Sequence, residues 1–322
     1  MTLSIIIVSW NVRRELFECL RSIEENRPFH SFEIIIVDNA STDGTVNAIK
    51  RDFSEVKLII NTENRGFAVA NNQGVEEAQG EYILFLNPDT IVHPHSLDGL
   101  IKFMDDNKDV GACGPKLLNR DGTPQPSVRR FPSFRGALHR HTAFRFLGIF
   151  NGQYRKWVMK DLNYNRQIDV DQVMGAALMI RKSLIEQVGP MDEGFFMYYE
   201  EVDLCYRIKQ AGWRITYVPV VEITHLGGRS TGQIPAGKRI MAMTSLIRFF
   251  KKHRGKFATG VFVCIFKPAL AVKDLINITT GIVKYTFATL ALNKKGREKS
   301  AEKIKKSIVL LSKYSWRSLF RI

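Results

Sequence analysis

The chain has 322 residues, 45% of them hydrophobic and 11% aromatic, which excludes a disordered or fibrous protein and leaves room for a full buried core. A net charge of +15 first points to a nucleic-acid binder, but residues 235–322 hold 20 Lys/Arg against 3 Asp/Glu, and residues 1–234 hold 27 against 29. The excess therefore belongs to a tail rich in Phe, Ile, Leu and Trp, which reads as a surface for anionic lipid rather than for nucleic acid.

The run Leu3-Ser4-Ile5-Ile6-Ile7-Val8-Ser9 predicts a first strand, and nothing ahead of it has the basic n-region or cleavage site of a secretory signal. Ser9-Trp10-Asn11 follows where a dinucleotide fold carries a Gly-rich turn, so that fold is disfavoured. A helix near 14–26 leads to a strand at 32–37 and then to Asp38-Asn39-Ala40-Ser41-Thr42-Asp43-Gly44, ahead of a helix near 44–53. Asp38 fits two roles: an Asx-turn residue before the Ser41-Thr42 cap, or a carboxylate that accepts hydrogen bonds from a base or ribose. A strand at 56–60, a helix near 66–78 and a strand at 82–86 continue the alternation. Such a rhythm predicts a mostly parallel sheet covered on both faces, with ligands at the carboxyl ends of its strands. Asn87-Pro88-Asp89 lies on that edge, before a helix near 95–107. Its oxygens suit Mg2+ or Mn2+, which take one or two carboxylates plus substrate phosphates and water; the same tripeptide also makes a helix-start turn.

Residues 123–160 interrupt the rhythm with Pro124, Pro126 and Pro132, eight Arg/Lys and no acid. A stretch of this length without periodicity predicts a functional loop, a lid or a disordered insertion. A strand is expected at 173–180, a helix at 198–212 and one or two strands at 214–225. The helix opens with Glu200, Glu201 and Asp203, acids that complement a helix dipole. Asp203 and Arg207 are spaced to pair, which leaves Glu201 beside aromatics, where a carboxylate can act as a general base. His225 ends the next strand and precedes Leu226-Gly227-Gly228-Arg229-Ser230. It is either a structural strand-end histidine or a metal ligand, and the two glycines with Arg229 can wrap a diphosphate. From about 238 the pattern is helical. Residues 257–272 are apolar but carry Lys267 and Pro268, short of a spanning helix, and 296–316 is amphipathic. Cys19, Cys113, Cys205 and Cys264 follow no regular spacing, so neither a disulfide framework nor a cysteine metal site is expected and a reducing cytoplasm fits.

Five motifs in this order resemble glycosyltransferase family 2, most of all its rhamnosyltransferase-type branch. They are Ile5 to Asn11, Val37 to Thr45, Asn64-Arg65-Gly66-Phe67-Ala68, Leu86-Asn87-Pro88-Asp89 and the block 191–213. The resemblance covers about residues 3–230 and implies an α/β protein of GT-A type, with a mostly parallel central sheet and helices on both faces; it says little about the tail beyond 235, whose basic helical character is read from the residues themselves. The expected division is a catalytic domain at 1–235 and a basic amphipathic helical membrane-associating region at 236–322. Within the first, 1–115 would bind the nucleotide sugar, 123–160 would be a basic aromatic insertion or lid, and 165–235 would serve the acceptor and catalysis.

By the same resemblance the protein would be an inverting, metal-dependent enzyme using a nucleoside-diphosphate sugar, with L-rhamnose from a dTDP donor as first guess. Donor contacts would come from Ser9, Asp38, Asn39, Asp43, Asn64, Arg65, Gly66, Asn87 and Arg229. Asp89 and His225 would hold Mg2+ or Mn2+, and Glu201 would be the base, with Asp203 as its rival. Two positions depart from the family pattern: Asn87 replaces the first Asp of the common DxD, and Glu201 stands where Asp is frequent. The acceptor would be lipid-linked or a glycan, met at the anionic, cytoplasmic face of the bacterial inner membrane by a peripheral enzyme, with no nucleic-acid partner. A non-enzymatic membrane or nucleic-acid adaptor is the alternative, motivated by the basic tail. A nucleotidyltransferase would need a Gly-rich phosphate loop after the first strand, and none stands there.

Overall fold

The computed structural model describes residues 1–227 and 235–313. The chain divides into two compact units, Met1–Phe131 with Asp161–Gln233 and Pro132–Lys160 with Ile234–Ile322.

The first unit is built on a nine-stranded mixed sheet. β1 (Leu3–Ser9) and β4 (Tyr82–Leu86) are buried along their whole length, as all-apolar strands require covering layers on both faces. β2 (Phe32–Asp38) and β3 (Lys57–Ile60) continue the sheet in parallel on one side of β1, and β4 lies parallel on the other. The chain therefore reverses its direction of winding at β1, where open α/β sheets form a crevice beyond the strand ends. β5 (Thr90–Val92) forms the far edge. β6 (Val110–Leu118) and β10 (Ala177–Arg181) lie between β4 and β11 (Arg214–His225), with β10 antiparallel to both of its neighbours. Two short strands, β7 (Val128–Arg129) and β9 (Gln172–Val173), pair with each other, and β8 (Ile168–Asp169) pairs with β11.

Helices α1 (Arg13–Glu25), α2 (Thr45–Asp52) and α4 (Ser96–Asp106) set Leu20, Ile49 and Leu100 into one core cluster with Ile5, Ile7 and Leu84. α3 (Phe67–Glu77) packs Ala70 against Val8 and Val37. A Cβ at its Gly74 would stand 2.5 Å from Ile6 Cγ2, so the helix rests directly on β1. The elements expected between 3 and 107 all occur, within one residue at each end. The strand expected at 173–180 is instead two strands, β9 and β10, broken at Met174-Gly175-Ala176.

The second unit is helical. It contains α5 (Phe134–His141), a 3-10 turn (Ala143–Leu147) and α6 (Asn151–Trp157). The stretch 123–160, which shows no periodicity in the sequence, thus carries short helices. Phe134 stacks on Phe262 at 5.0 Å between ring centroids and meets Phe250 edge-on at 4.5 Å, which supplies a core this stretch lacks by itself. After α7 (Lys182–Val188) and α8 (Glu200–Gln210) of the first unit, the helical unit resumes with α9 (Pro235–Arg254), α10 (Lys256–Leu290) and α11 (Lys294–Lys313). α10 continues through Pro268, a position that costs a helix interior about 3 kcal/mol, while Phe262, Phe266 and Leu270 around it are buried. Gly281 lets α11 approach, since a Cβ there would stand 2.7 Å from Ile304 Cγ1. Among the described residues no helix is long and apolar enough to cross a membrane.

Candidate active site

Ser9 and Asp38 are register partners at the carboxyl ends of β1 and β2, and both are fully buried. The Ser41 amide donates to Asp38 Oδ2 at 2.9 Å. Asp38 Oδ1 and Ser9 Oγ have no hydrogen-bond partner among the described residues. A buried polar atom left unsatisfied is costly, so two at one strand edge mark a place that a ligand can complete. Asp43 has a different position. Its carboxylate accepts from the Arg13 amide at 2.9 Å and from the amide and hydroxyl of Thr45, which ties the starts of α1 and α2 together.

Asn39 and Asn64 frame the next loop. Asn39 Nδ2 donates to Asn64 Oδ1 and to the Gly66 carbonyl, while its Oδ1 accepts from the Arg65 amide and Asn61 Nδ2, all at 3.0–3.1 Å. The structure thus gives both side chains to shaping the turn that carries Arg65. Gly66 closes it with φ +88°, and the Phe67 amide donates to the Phe196 carbonyl at 2.7 Å. This bond links the turn to the segment that enters α8.

Antiparallel pairing of β5 with the end of β11 aligns His225 with Thr90 and so sets it beside Asp89. His225 Nε2 lies 3.4 Å from Asp89 Oδ1 and 3.3 Å from Asn87 Nδ2, and both His225 and Asp89 are buried. On the other side of the ring, Nδ1 is 2.7 Å from Gln125 Oε1. Gln125 Nε2 donates to Asn119 Oδ1 and to the His225 carbonyl, which leaves Oε1 as acceptor for an Nδ1 proton and turns His225 Nε2 toward Asp89 and Asn87. A carboxylate and a neutral imidazole oriented by an amide are a donor set that fits a divalent ion. No group of three or more His, Cys, Asp or Glu is gathered for a metal among the described residues, so two protein ligands would leave the other positions to phosphate oxygens and water. Gln125 escaped sequence reasoning, and its only signal was the rigid Pro124-Gln125-Pro126 setting. Arg229 lies outside the described residues.

The segment entering α8 is strained, since Tyr198 and Tyr199 both hold φ +69°, a region that costs non-glycine residues energy and recurs at functional sites. Asp203 is fully buried and Arg207 Nε donates to its Oδ2 at 2.9 Å, while the same guanidinium donates to the carbonyls of Val188, Gly189 and Pro190. Asp203 thereby anchors α8 to that turn. Glu201 instead packs on Gly175, where a Cβ would stand 3.4 Å from its own. The next carbonyl, that of Ala176, accepts from the Asn87 amide at 2.9 Å, so the segment on which Glu201 packs is bonded to the turn that carries Asp89. The Oε2 atoms of Glu200 and Glu201 are shielded from solvent without a hydrogen-bond partner among the described residues. Burial pushes both carboxyls up. The charge of Glu201 raises Glu200 further, whereas backbone amides and Arg129 draw Glu201 partly back. A carboxylate raised toward neutrality is suited to taking a proton.

A family profile described as Glycosyl transferase family 2 matches residues 4–189, more than half of the chain. The chain belongs to glycosyl transferase family 2. It is 32% identical over 237 residues to the N-acetylglucosaminyl-diphospho-decaprenol L-rhamnosyltransferase of Mycobacterium tuberculosis, a match covering 69% of this chain and 74% of that protein. Rhamnosyltransferase WbbL of Escherichia coli is 33% identical over 166 residues, 50% of this chain and 59% of the relative. These relatives support the rhamnosyltransferase-like branch. Mannosyltransferase PcManGT from Pyrobaculum calidifontis, solved with GDP-Man and Mn2+, superposes with a TM-score of 0.56 at 20% identity, covering 98% of this chain and 87% of that one. The fold is of the expected GT-A type.

Within this family 2 enzyme, the tie between Gly66 and the segment entering α8 can be tested. A Cβ at Gly66 would stand 2.6 Å from the Phe196 carbonyl oxygen in a left-handed backbone conformation. Gly66→Ala is expected to lower stability by about 1–3 kcal/mol and to depress transfer further than unfolding explains. Gly122→Ala is the control: φ is +79° there and nothing lies within 4 Å, so only the backbone penalty of roughly 1 kcal/mol applies. Calorimetry beside initial-rate assays on both variants measures the difference.

Proposed function

We propose that the protein is an inverting, metal-dependent glycosyltransferase of cell-envelope glycan synthesis. It moves L-rhamnose from a dTDP donor to a lipid-linked or polysaccharide acceptor, and it works peripherally at the cytoplasmic face of the bacterial inner membrane. The observation that carries the proposal is Glu201, a shielded carboxylate raised by burial and packed on Gly175, next to the Ala176 carbonyl that the Asn87 amide bonds. Glu201 takes the proton of the acceptor hydroxyl as its oxygen attacks the anomeric carbon. One displacement inverts that centre and needs no covalent sugar-enzyme intermediate. Ser9 Oγ and Asp38 Oδ1 receive polar atoms of the nucleoside, and the turn framed by Asn39, Asn64, Arg65 and Gly66 borders it, with Asp43 holding the helix starts beneath. Asp89 and His225, next to Asn87, would hold Mg2+ or Mn2+, whose positive charge, when bound, stabilises the departing diphosphate. Arg229 adds a second positive charge for that diphosphate.

The choice of rhamnose and of a lipid diphosphate acceptor is supported by the activity of the mycobacterial relative, and the choice of metal by the Mn2+ in the mannosyltransferase complex. The membrane is supported by the excess of Lys and Arg beyond residue 235. A donor screen tests the proposal, with dTDP-rhamnose set against UDP- and GDP-sugars and N-acetylglucosaminyl-diphospho-decaprenol as acceptor. The expected result is dTDP release with an anomerically inverted product, lost in EDTA and restored by Mn2+. Release from no donor, or retention of configuration, would overturn it.

A further inference from the structure

α10 has an apolar face on each side. Thr259, Phe262, Phe266, Leu270 and Gly281 are buried within the helical unit. Phe257, Val261, Ile265, Val272, Ile276 and Phe287 are exposed, and at ~100° per residue they share an arc of roughly 120° on the opposite side. Lys256, Lys267, Lys273, Asp274 and Lys284 all fall outside this arc. The exposed strip therefore carries no charge from Phe257 to Leu290, about 50 Å at ~1.5 Å per residue.

A helix facing water presents polar residues there, and an apolar strip of this length marks an interaction surface. Its neighbour α11 holds eight Lys/Arg against two Asp/Glu. Two copies joined by this strip would bring together two regions each carrying 20 Lys/Arg against 3 Asp/Glu. RNA would engage the charge and leave the apolar strip uncovered. An anionic bilayer answers both features, with its acyl boundary for the strip and its headgroups for the lysines.

We propose that the charge-free face of α10 lies in the headgroup–acyl boundary of an anionic bilayer, parallel to its surface, with the α11 lysines on the headgroups. The inference rests on the membrane part of the function proposed above and names the surface responsible.

The test is flotation of the full chain with vesicles of phosphatidylcholine alone or mixed with phosphatidylglycerol, compared with the triple variant Val261→Glu, Ile265→Glu, Ile276→Glu. The expected result is preference for the mixed vesicles and a fall in binding of at least about tenfold in the variant, as three apolar side chains lose their burial. Circular dichroism checks the fold, and the single variant Ile265→Glu replaces the triple one should that unfold, with a smaller fall in the same direction. Flotation of the variant equal to wild type would overturn the assignment of this face. Equal binding to both vesicle types would overturn the anionic surface. Dimers in sedimentation that the variant abolishes, with vesicle binding unchanged, would assign the strip to a second copy instead. Hydrolysis of dTDP-rhamnose without acceptor is expected to be the same in wild type and variant. Its absence from both would count against the transferase proposal and leave the flotation result standing.

Discussion

Glu201→Gln is expected to lower kcat for transfer by ~10²–10⁴-fold while the donor KM stays nearly unchanged. The amide fills the same space on Gly175 but cannot accept the acceptor's proton. The rate of wild type should fall as pH drops through the Glu201 pKa, because the base must be ionised. Burial raises that carboxyl, so the acid limb should lie above the ordinary glutamate value of about 4.3, and the variant should lose it. Stability has the opposite sign. Glu200 and Glu201 both have folded-state values raised above the unfolded ones, so their contribution is full below the unfolded carboxyl range and is lost as pH rises through the folded values. Thermal midpoints across that window should decline with pH, less steeply in Glu201→Gln. Asp203 is held by Arg207, so Asp203→Asn should act on stability first. A folded, inactive Asp203→Asn together with a fully active Glu201→Gln would exchange the two roles.

Asp89→Ala should abolish transfer, with a loss of ~10³-fold or more, since a metal at a departing diphosphate supplies several kcal/mol. The fold should survive, because the backbone bond from the Leu226 amide to the Asp89 carbonyl does not need the carboxylate. Calorimetric titration of Mn2+ in the presence of dTDP, beside rate and melting measurements, separates lost metal from lost structure. Full activity in the variant, or wild-type activity indifferent to EDTA, would remove Asp89 from the metal site.

The strands that end at the candidate site were legible because β1, β2 and β4 are nearly unbroken apolar runs, a pattern that burial on two faces demands. β6 was not, because its sequence is interrupted by Gly111, Gly114 and Pro115. A Cβ at Gly111 would press on Leu184 and Trp213, and one at Gly114 on Val173, so the residues that weaken the strand signal are those that tertiary packing requires. Gly175 lies in the break that splits the expected strand at 173–180, and a Cβ there would only touch Glu201 at an ordinary 3.4 Å. The spacing of Asp203 and Arg207 was readable because a helix places positions four apart on one side. Gln125 and Arg129 act across turns distant in sequence, where periodicity carries no information. The helices within 132–160 were hidden for a related reason, since Phe134 at their start finds its partners in Phe250 and Phe262, more than a hundred residues on.

The split composition of the helical unit bears on how the polypeptide is made. Pro132–Lys160 leaves the ribosome well before Phe250 and Phe262, which lie beyond the last strand of the sheet. With ~90 residues between them, synthesis at ~5–20 residues per second imposes a wait of roughly 5–20 s. During that interval Phe134 lacks the rings of Phe250 and Phe262 that it packs on in the finished protein. Cutting the gene near residue 235 would make the wait permanent. A fragment limited to the first unit therefore calls for two deletions, one of residues 132–160 and one of the chain beyond the sheet.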